Sequence, residues 1–136
     1  CRALSRHCGV PIILDESFVK VGQFPLIEGE PSLWILNIRV SKMGGLLRAC
    51  TVAARAKAAG IPIVVGAQVG ETSILTRVAL VVADRYRDIL IAQEGAVGTH
   101  LLEYDLCEPP LMFGRGGCLA DTVFYGRSGL GLSFAR

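Results

Sequence analysis

The stretch LWILNIRVSKMGGLLRACTVAARAKAAGIPIVVG, residues 33–66, decides the fold. Leu33 to Val40 is an apolar run rich in branched and aromatic residues, which is the composition of a strand. Leu46 to Ala59 is dominated by good helix formers. It places Leu46, Ala49 or Cys50, Ala53 and Ala56 on one face and stops at Gly60, before Ile61-Pro62. Ile61 to Gly66 is a second short apolar strand. A strand, a helix and another strand in this order form a right-handed crossover between parallel neighbours. The alanine-rich helix face predicts close packing on the sheet, and the near-continuous apolar runs of Pro11–Leu14 and Leu33–Val40 predict strands buried on both faces.

Working outward, Pro11 to Leu14 reads as a preceding apolar strand. The segment FVKVGQFPLIEGEPS, residues 18–32, should cross over as a short or broken helix, because Gly22 and Pro25 oppose a regular one. Downstream, Thr72 or Ser73 can cap a helix through residues 74–86 with Leu75, Val78, Ala79 and Val82 on its buried side. A further strand is expected either near Ile89 to Ala92 or around Thr99 to Leu102. From Asp105 onward, Pro and Gly enrichment predicts an irregular tail.

This alternation is α/β, and its polar clusters follow its strands: Asp15-Glu16-Ser17, Arg39 to Gly45, and Gln68 to Ser73. In parallel α/β barrels the loops at the carboxyl ends of the strands carry the chemistry, because only the strand ends reach solvent. The three clusters are therefore expected on one rim.

Composition narrows the classes. Net charge is +2 with mixed signs and no dense basic cluster, so nucleic acid is not an expected partner. No apolar run is long enough to cross a membrane, which predicts a soluble, cytoplasmic protein. The five cysteines are odd in number and form no C-x-x-C pair, which argues against a zinc site and a disulfide framework. An apolar fraction of 51% and a mean hydropathy of +0.49 are high for a free-standing domain of this length. CRALSRHCGVP, residues 1–11, reads as the last turns of a helix ending at Gly9. Both features are expected of a piece of a larger protein; the alternative is a small, unusually apolar α/β domain.

PIILDES (11–17), NIRVSKMGG (37–45), GAQVGETS (66–73), EGAVGTHLLEYDL (94–106) and GLGL (129–132) together resemble the back half of the enolase superfamily. The branch they resemble contains muconate-lactonizing enzymes, dipeptide epimerases, o-succinylbenzoate synthases and mandelate racemase-like proteins. The resemblance implies a partial TIM-like (β/α)7β barrel. Residues 1–104 would supply its strands five to eight, and residues 105–136 would form a tail returning toward a capping domain. It further implies proton abstraction beside a carboxylate, with Mg²⁺ stabilising the enediolate. Implied partners are a small organic acid such as an acid sugar, the missing capping domain and front half of the barrel, and like subunits in a homo-oligomer. The segment alone should be inactive.

By this resemblance Asp15 matches a metal-binding carboxylate, with helix capping as its alternative role. Glu16 would stand behind it, orienting a ligand or pairing with Lys42, with a plain surface carboxylate as its alternative role. Arg39 stands where the branch carries a lysine. A guanidinium stays protonated, so it binds a carboxylate or stabilises negative charge rather than removing a proton. This favours dehydration or cycloisomerisation over two-base racemisation. Lys42, three positions on, falls on the opposite face from Arg39 if the strand continues. It is then structural, and a bend at the loop would make it substrate-binding. Gln68 would face the substrate, and Glu71 matches a glutamate after the seventh strand, with favourable charge at a helix N-terminus as its alternative. Gly44-Gly45 could lend N–H groups to an anion. Glu103, Asp105 and Glu108 do not reproduce the Asp-x-Asp spacing of dipeptide epimerases, His100 reads as a surface residue and Trp34 as core. A noncatalytic relative that keeps only the scaffold is the competing reading.

Overall fold

A computed structural model describes residues 1–95, 98–119 and 126–135 of the chain. Four parallel strands lie in chain order: β1 (Ile12–Leu14), β2 (Trp34–Ile38), β3 (Ile63–Val65) and β4 (Leu90–Gln93). Helix α1 (Arg2–Cys8) precedes β1 and ends at Gly9 with a φ of 67°, the left-handed stop that glycine adopts without strain. Between β1 and β2 the crossover is two 3₁₀ segments, Val21–Leu26 and Pro31–Leu33, as Gly22 and Pro25 require. After β2 come a single helical turn, α2 (Val40–Met43), and the long helix α3 (Leu46–Ala58). Helix α4 (Ser73–Arg85) joins β3 to β4.

The core lies between the sheet and the α3/α4 layer. Trp34, Leu36 and Ile38 of β2 alternate toward it with Ile63 and Val65 of β3, and meet Ala49, Val52, Ala53 and Ala56 of α3. Small residues on the helix let it approach the sheet closely. Val52 joins this face although the sequence reading left it out. Val78, Ala79, Val82 and Ala83 extend the layer along α4, and Leu75 is only partly buried.

Two expectations are corrected and one open choice is resolved. β1 is not buried on both faces: Ile13 is 53% exposed, because β1 pairs only with β2 and forms an edge. β2 meets that description, with every residue buried, and so does β3. The expected strand to Val40 stops at Ile38, where Arg39 takes the N-cap position of α2. The fourth strand is the earlier of the two candidates, and Gly98–Leu101 is instead a short helix, α5.

Residues 106–119 and 126–135 fold back by isolated antiparallel bridges, Cys107 with Phe134 and Phe113 with Leu119. They are pinned to α4 at both ends of the tail. The Leu111 N–H donates to Ser73 Oγ at 2.6 Å, and Arg77 Nε donates to the Leu130 carbonyl at 3.0 Å. Among the described residues no helix is long and apolar enough to cross a membrane.

Candidate functional site at the carboxyl rim

Because all four strands are parallel, their carboxyl ends share one edge, and the polar residues just past them are neighbours in space. Asp15 follows β1, Arg39 follows β2, the loop with Gln68 and Glu71 follows β3, and Glu94 follows β4.

Asp15 is the centre of the first half. Arg39 Nη2 donates to Asp15 Oδ2, and Lys42 Nζ reaches Asp15 Oδ1 at 2.5 Å while also donating to the Asn37 carbonyl at 2.9 Å. These are sheltered charges, with side-chain exposures of 19% for Arg39, 10% for Lys42 and 23% for Asp15. The helix-capping alternative for Asp15 does not describe its side chain, whose oxygens face Arg39 and Lys42; it is the Asp15 backbone carbonyl that accepts the Phe18 N–H, at 3.0 Å. Lys42 is the main surprise. Strand alternation places it opposite Arg39, but Val40–Met43 is helical. A helical turn brings a residue three positions on back to the same side.

Glu16 lies 3.3 Å from Arg39 Nη1 and so pairs with Arg39; its side chain is 76% exposed. Arg39 Nη1 also donates to Gln68 Oε1 at 3.4 Å, which links the first half of the rim to the second. Arg39 Nε is buried and has no hydrogen-bond partner among the described residues. The anion role read for Gly44-Gly45 is corrected: their N–H groups donate inward, to the carbonyls of Ser41 and Val40. The pair serves the turn, with φ values of 82° and 111° that other residues rarely adopt.

Glu71 is buried at 4% exposure, and its Oε1 accepts the Gln68 N–H at 2.9 Å. It thus holds its own loop rather than the first N–H groups of α4. Burial pushes its carboxyl above the ordinary value of 4.5; the Gln68 N–H and the Arg39 charge oppose this, and the Glu94 charge adds to it. The α4 N-terminus is capped by another residue. Thr72 holds the N-cap position without a side-chain bond, and the Ser73 N–H donates to Asp105 Oδ2 at 2.9 Å. Asp105 is therefore a helix cap, which satisfies a donor that would otherwise be orphaned. His100, Glu103 and Glu108 are exposed.

Two rim residues escaped the sequence reading. Glu94 Oε2 accepts the Ala67 N–H at 3.0 Å, and Asn37 Nδ2 donates to Glu94 Oε1 at 3.4 Å. Asn37 is the lone polar residue of the buried β2, which was a usable signal. Glu94 was hidden by the undecided position of the fourth strand.

The described residues do not by themselves fit a metal ion: no group of three His, Cys, Asp or Glu converges, and both Asp15 oxygens already face cations.

An N-acetyl-D-glutamate racemase from a Pseudoalteromonas species is 31% identical over 81 residues, which is 59% of this chain and 25% of that protein. A mandelate racemase/muconate lactonizing enzyme from Roseovarius nubinhibens superposes with a TM-score of 0.74 at 20% identity, covering 98% of this chain and 35% of the other. The L-Ala-D/L-Glu epimerase of Bacillus subtilis gives a TM-score of 0.72 at 24% identity, over 93% of this chain and 34% of that one. The chain thus spans 25% to 35% of the length of these relatives. Its four-stranded sheet matches part of their barrel domain. The family of enolase C-terminal domain-like proteins matches residues 1–136. The chain belongs to the enolase superfamily, as a C-terminal domain of the mandelate racemase/muconate lactonizing enzyme type.

Proposed function

We propose that this chain is the carboxyl-terminal part of a lyase or isomerase that removes the proton α to the carboxylate of a small organic acid and stabilises the resulting enediolate. The observation that carries this reading is the closure of Arg39 and Lys42 on Asp15 at the strand ends, with Gln68 bridging to Glu71. Mg²⁺, on which the superfamily generally depends, belongs to the reading; Asp15 would be its one ligand from this chain only where Arg39 and Lys42 gave up the carboxylate oxygens they now hold, and the other ligands would come from the front half of the barrel. Strands five to eight of a (β/α)7β barrel are assigned to residues 1–104, and residues 105–136 form the tail toward a capping domain. The front half of the barrel, the capping domain and the like subunits of a homo-oligomer complete the enzyme.

Within that site Arg39 is a fixed cation. It holds a substrate carboxylate through parallel hydrogen bonds, or faces negative charge as it develops on the enediolate. It does not take a proton, so this side of the barrel carries no strand-end base. The base is assigned to a lysine pair on the front half. Gln68 offers an amide donor and acceptor to the substrate, and Lys42 adds a second cation beneath it. Glu71 keeps a proton to higher pH than a solvated carboxyl and can hand it to a departing oxygen. Dehydration or cycloisomerisation fits this one-sided arrangement. The named relatives act on N-acetyl-glutamate and on an Ala-Glu dipeptide, so N-acyl amino acids and dipeptides stand beside acid sugars as substrates to try.

The test is ¹H NMR in D₂O on the protein that contains this chain, with Mg²⁺ and both enantiomers of each candidate acid. The expected result is α-proton exchange from one enantiomer only. Exchange from both enantiomers that disappears when Arg39 is replaced would contradict the one-sided reading. No exchange, with no Mg²⁺-dependent rise in thermal stability, would favour the noncatalytic scaffold instead.

A further inference from the structure

The loop after β3 carries two of the proposed site residues, Gln68 and Glu71, yet its own sequence, AQVG, offers little to hold it. Apart from the Glu71 carboxyl on the Gln68 N–H, what holds it comes from the neighbouring strands. The Glu94 N–H donates to the Val65 carbonyl at 2.9 Å, continuing the β3/β4 ladder past Gln93. The Glu94 side chain then turns back. One oxygen takes the Ala67 N–H at 3.0 Å and the other takes Asn37 Nδ2, from near the carboxyl end of β2, at 3.4 Å. Asn37 can reach across β3 only because residue 66 has no side chain: a Cβ on Gly66 would come within 2.0 Å of Asn37 Oδ1. The Gly66 N–H itself donates to the Ile38 carbonyl at 3.0 Å.

We propose that Glu94 is a positioning residue that ties the ends of β2, β3 and β4 together and thereby fixes the loop presenting Gln68 and Glu71 to the rim. The role rests on reading those two residues as part of the site. An exposed glutamate at a strand end ordinarily has both oxygens in water. Here both are engaged by groups from two other strands, and a glycine leaves room for the bridge. The negative charge of Glu94 also lies close enough to Glu71 to favour the protonated form of that buried carboxyl. Glu94 thus acts on the site both through the backbone at Ala67 and through the field at Glu71.

The test is amide hydrogen exchange at residues 64–71 together with NMR titration of the Glu71 carboxyl, in the full chain and in Glu94→Ala and Glu94→Gln variants. In Glu94→Ala the Ala67 amide should exchange roughly tenfold faster, the loss of one charge-assisted hydrogen bond, while amides of α3 keep their protection. In Glu94→Gln, whose amide oxygen can still accept, Ala67 should stay protected and Glu71 should titrate at lower pH. An unchanged Ala67 rate in Glu94→Ala overturns the proposal. So does an unchanged Glu71 titration in a folded Glu94→Gln protein, the result a merely structural carboxylate would give. If both readouts move as expected while the wild-type protein exchanges no substrate proton, the proposed reaction fails and the positioning role stands.

Discussion

The two halves of the rim are held by opposite means. Between β1 and β2 one carboxylate, Asp15, is gripped by two side-chain cations, Arg39 and Lys42. Between β3 and β4 two carboxylates, Glu71 and Glu94, are gripped by the backbone N–H groups of Gln68 and Ala67. The first half is an ion cluster whose members depend on one another's charge. The second is a set of local hydrogen bonds that survives a change of charge but is sensitive to shape and to burial. Arg39 belongs to both, through its contact with Gln68.

The largest way to break this contrast is Asp15→Ala. It leaves Arg39 and Lys42, both sheltered, without their shared anion, and should cost about 2–4 kcal/mol of stability. Denaturant unfolding at neutral pH measures it. Adding Lys42→Met to that variant should recover part of the loss, because one of the two stranded cations is gone. A change within error for Asp15→Ala would mean that the cluster is no more than a surface pairing.

Next in size is Gly66→Ala, which tests shape rather than charge. The new methyl would overlap Asn37 Oδ1, so the buried amide must move and release Glu94; a cost of about 1–3 kcal/mol is expected from the same unfolding measurement. Wild-type stability together with full protection of the Ala67 amide would contradict the bridge.

Glu71→Gln sharpens the comparison through pH. The Glu71 carboxyl binds its proton more tightly in the folded protein than in the unfolded chain. Its contribution is therefore most favourable with the proton on, and stability falls as pH rises above 4.5 and through the raised folded value. The Gln68 N–H can still donate to an amide oxygen, so Glu71→Gln should remove this part of the pH slope and be the more stable protein above it. Denaturant midpoints measured across that range check the sign, and parallel slopes for the two proteins would refute it.

The smallest effect is a control away from the rim. Arg55 and Glu28 pair at the surface, with side-chain exposures of 49% and 33%, and Arg55→Ala should cost less than about 1 kcal/mol.

Much of this architecture was legible in the residues. The β2–α3–β3 unit could be read because its strands are uninterrupted apolar runs and its helix is written in strong helix formers with a glycine stop. The meeting of Asp15, Arg39 and Gln68 followed once the strands were taken as parallel. What escaped depended on three-dimensional pairing. Ile13 looks as apolar as Ile35, and only the position of β1 at the sheet edge exposes it. Lys42 was placed by strand alternation, which fails because the backbone turns helical at Val40, one residue after Arg39. Asp105 does not fit the Asp-x-Asp spacing of dipeptide epimerases and is a cap for α4, a role that its distance along the chain hides. Glu94 could not be assigned to the rim until β4 was known to end at Gln93.

The central claim is that Arg39, as a permanently charged strand-end residue, makes the proposed site one-sided. The most direct measurement is α-proton exchange in D₂O by Arg39→Lys beside the wild-type protein, using both enantiomers of an acid that the wild type turns over. The account expects the wild type to exchange one enantiomer, and the lysine variant to gain measurable exchange from the other. Exchange from both enantiomers by the wild type, unchanged in Arg39→Lys, would contradict it.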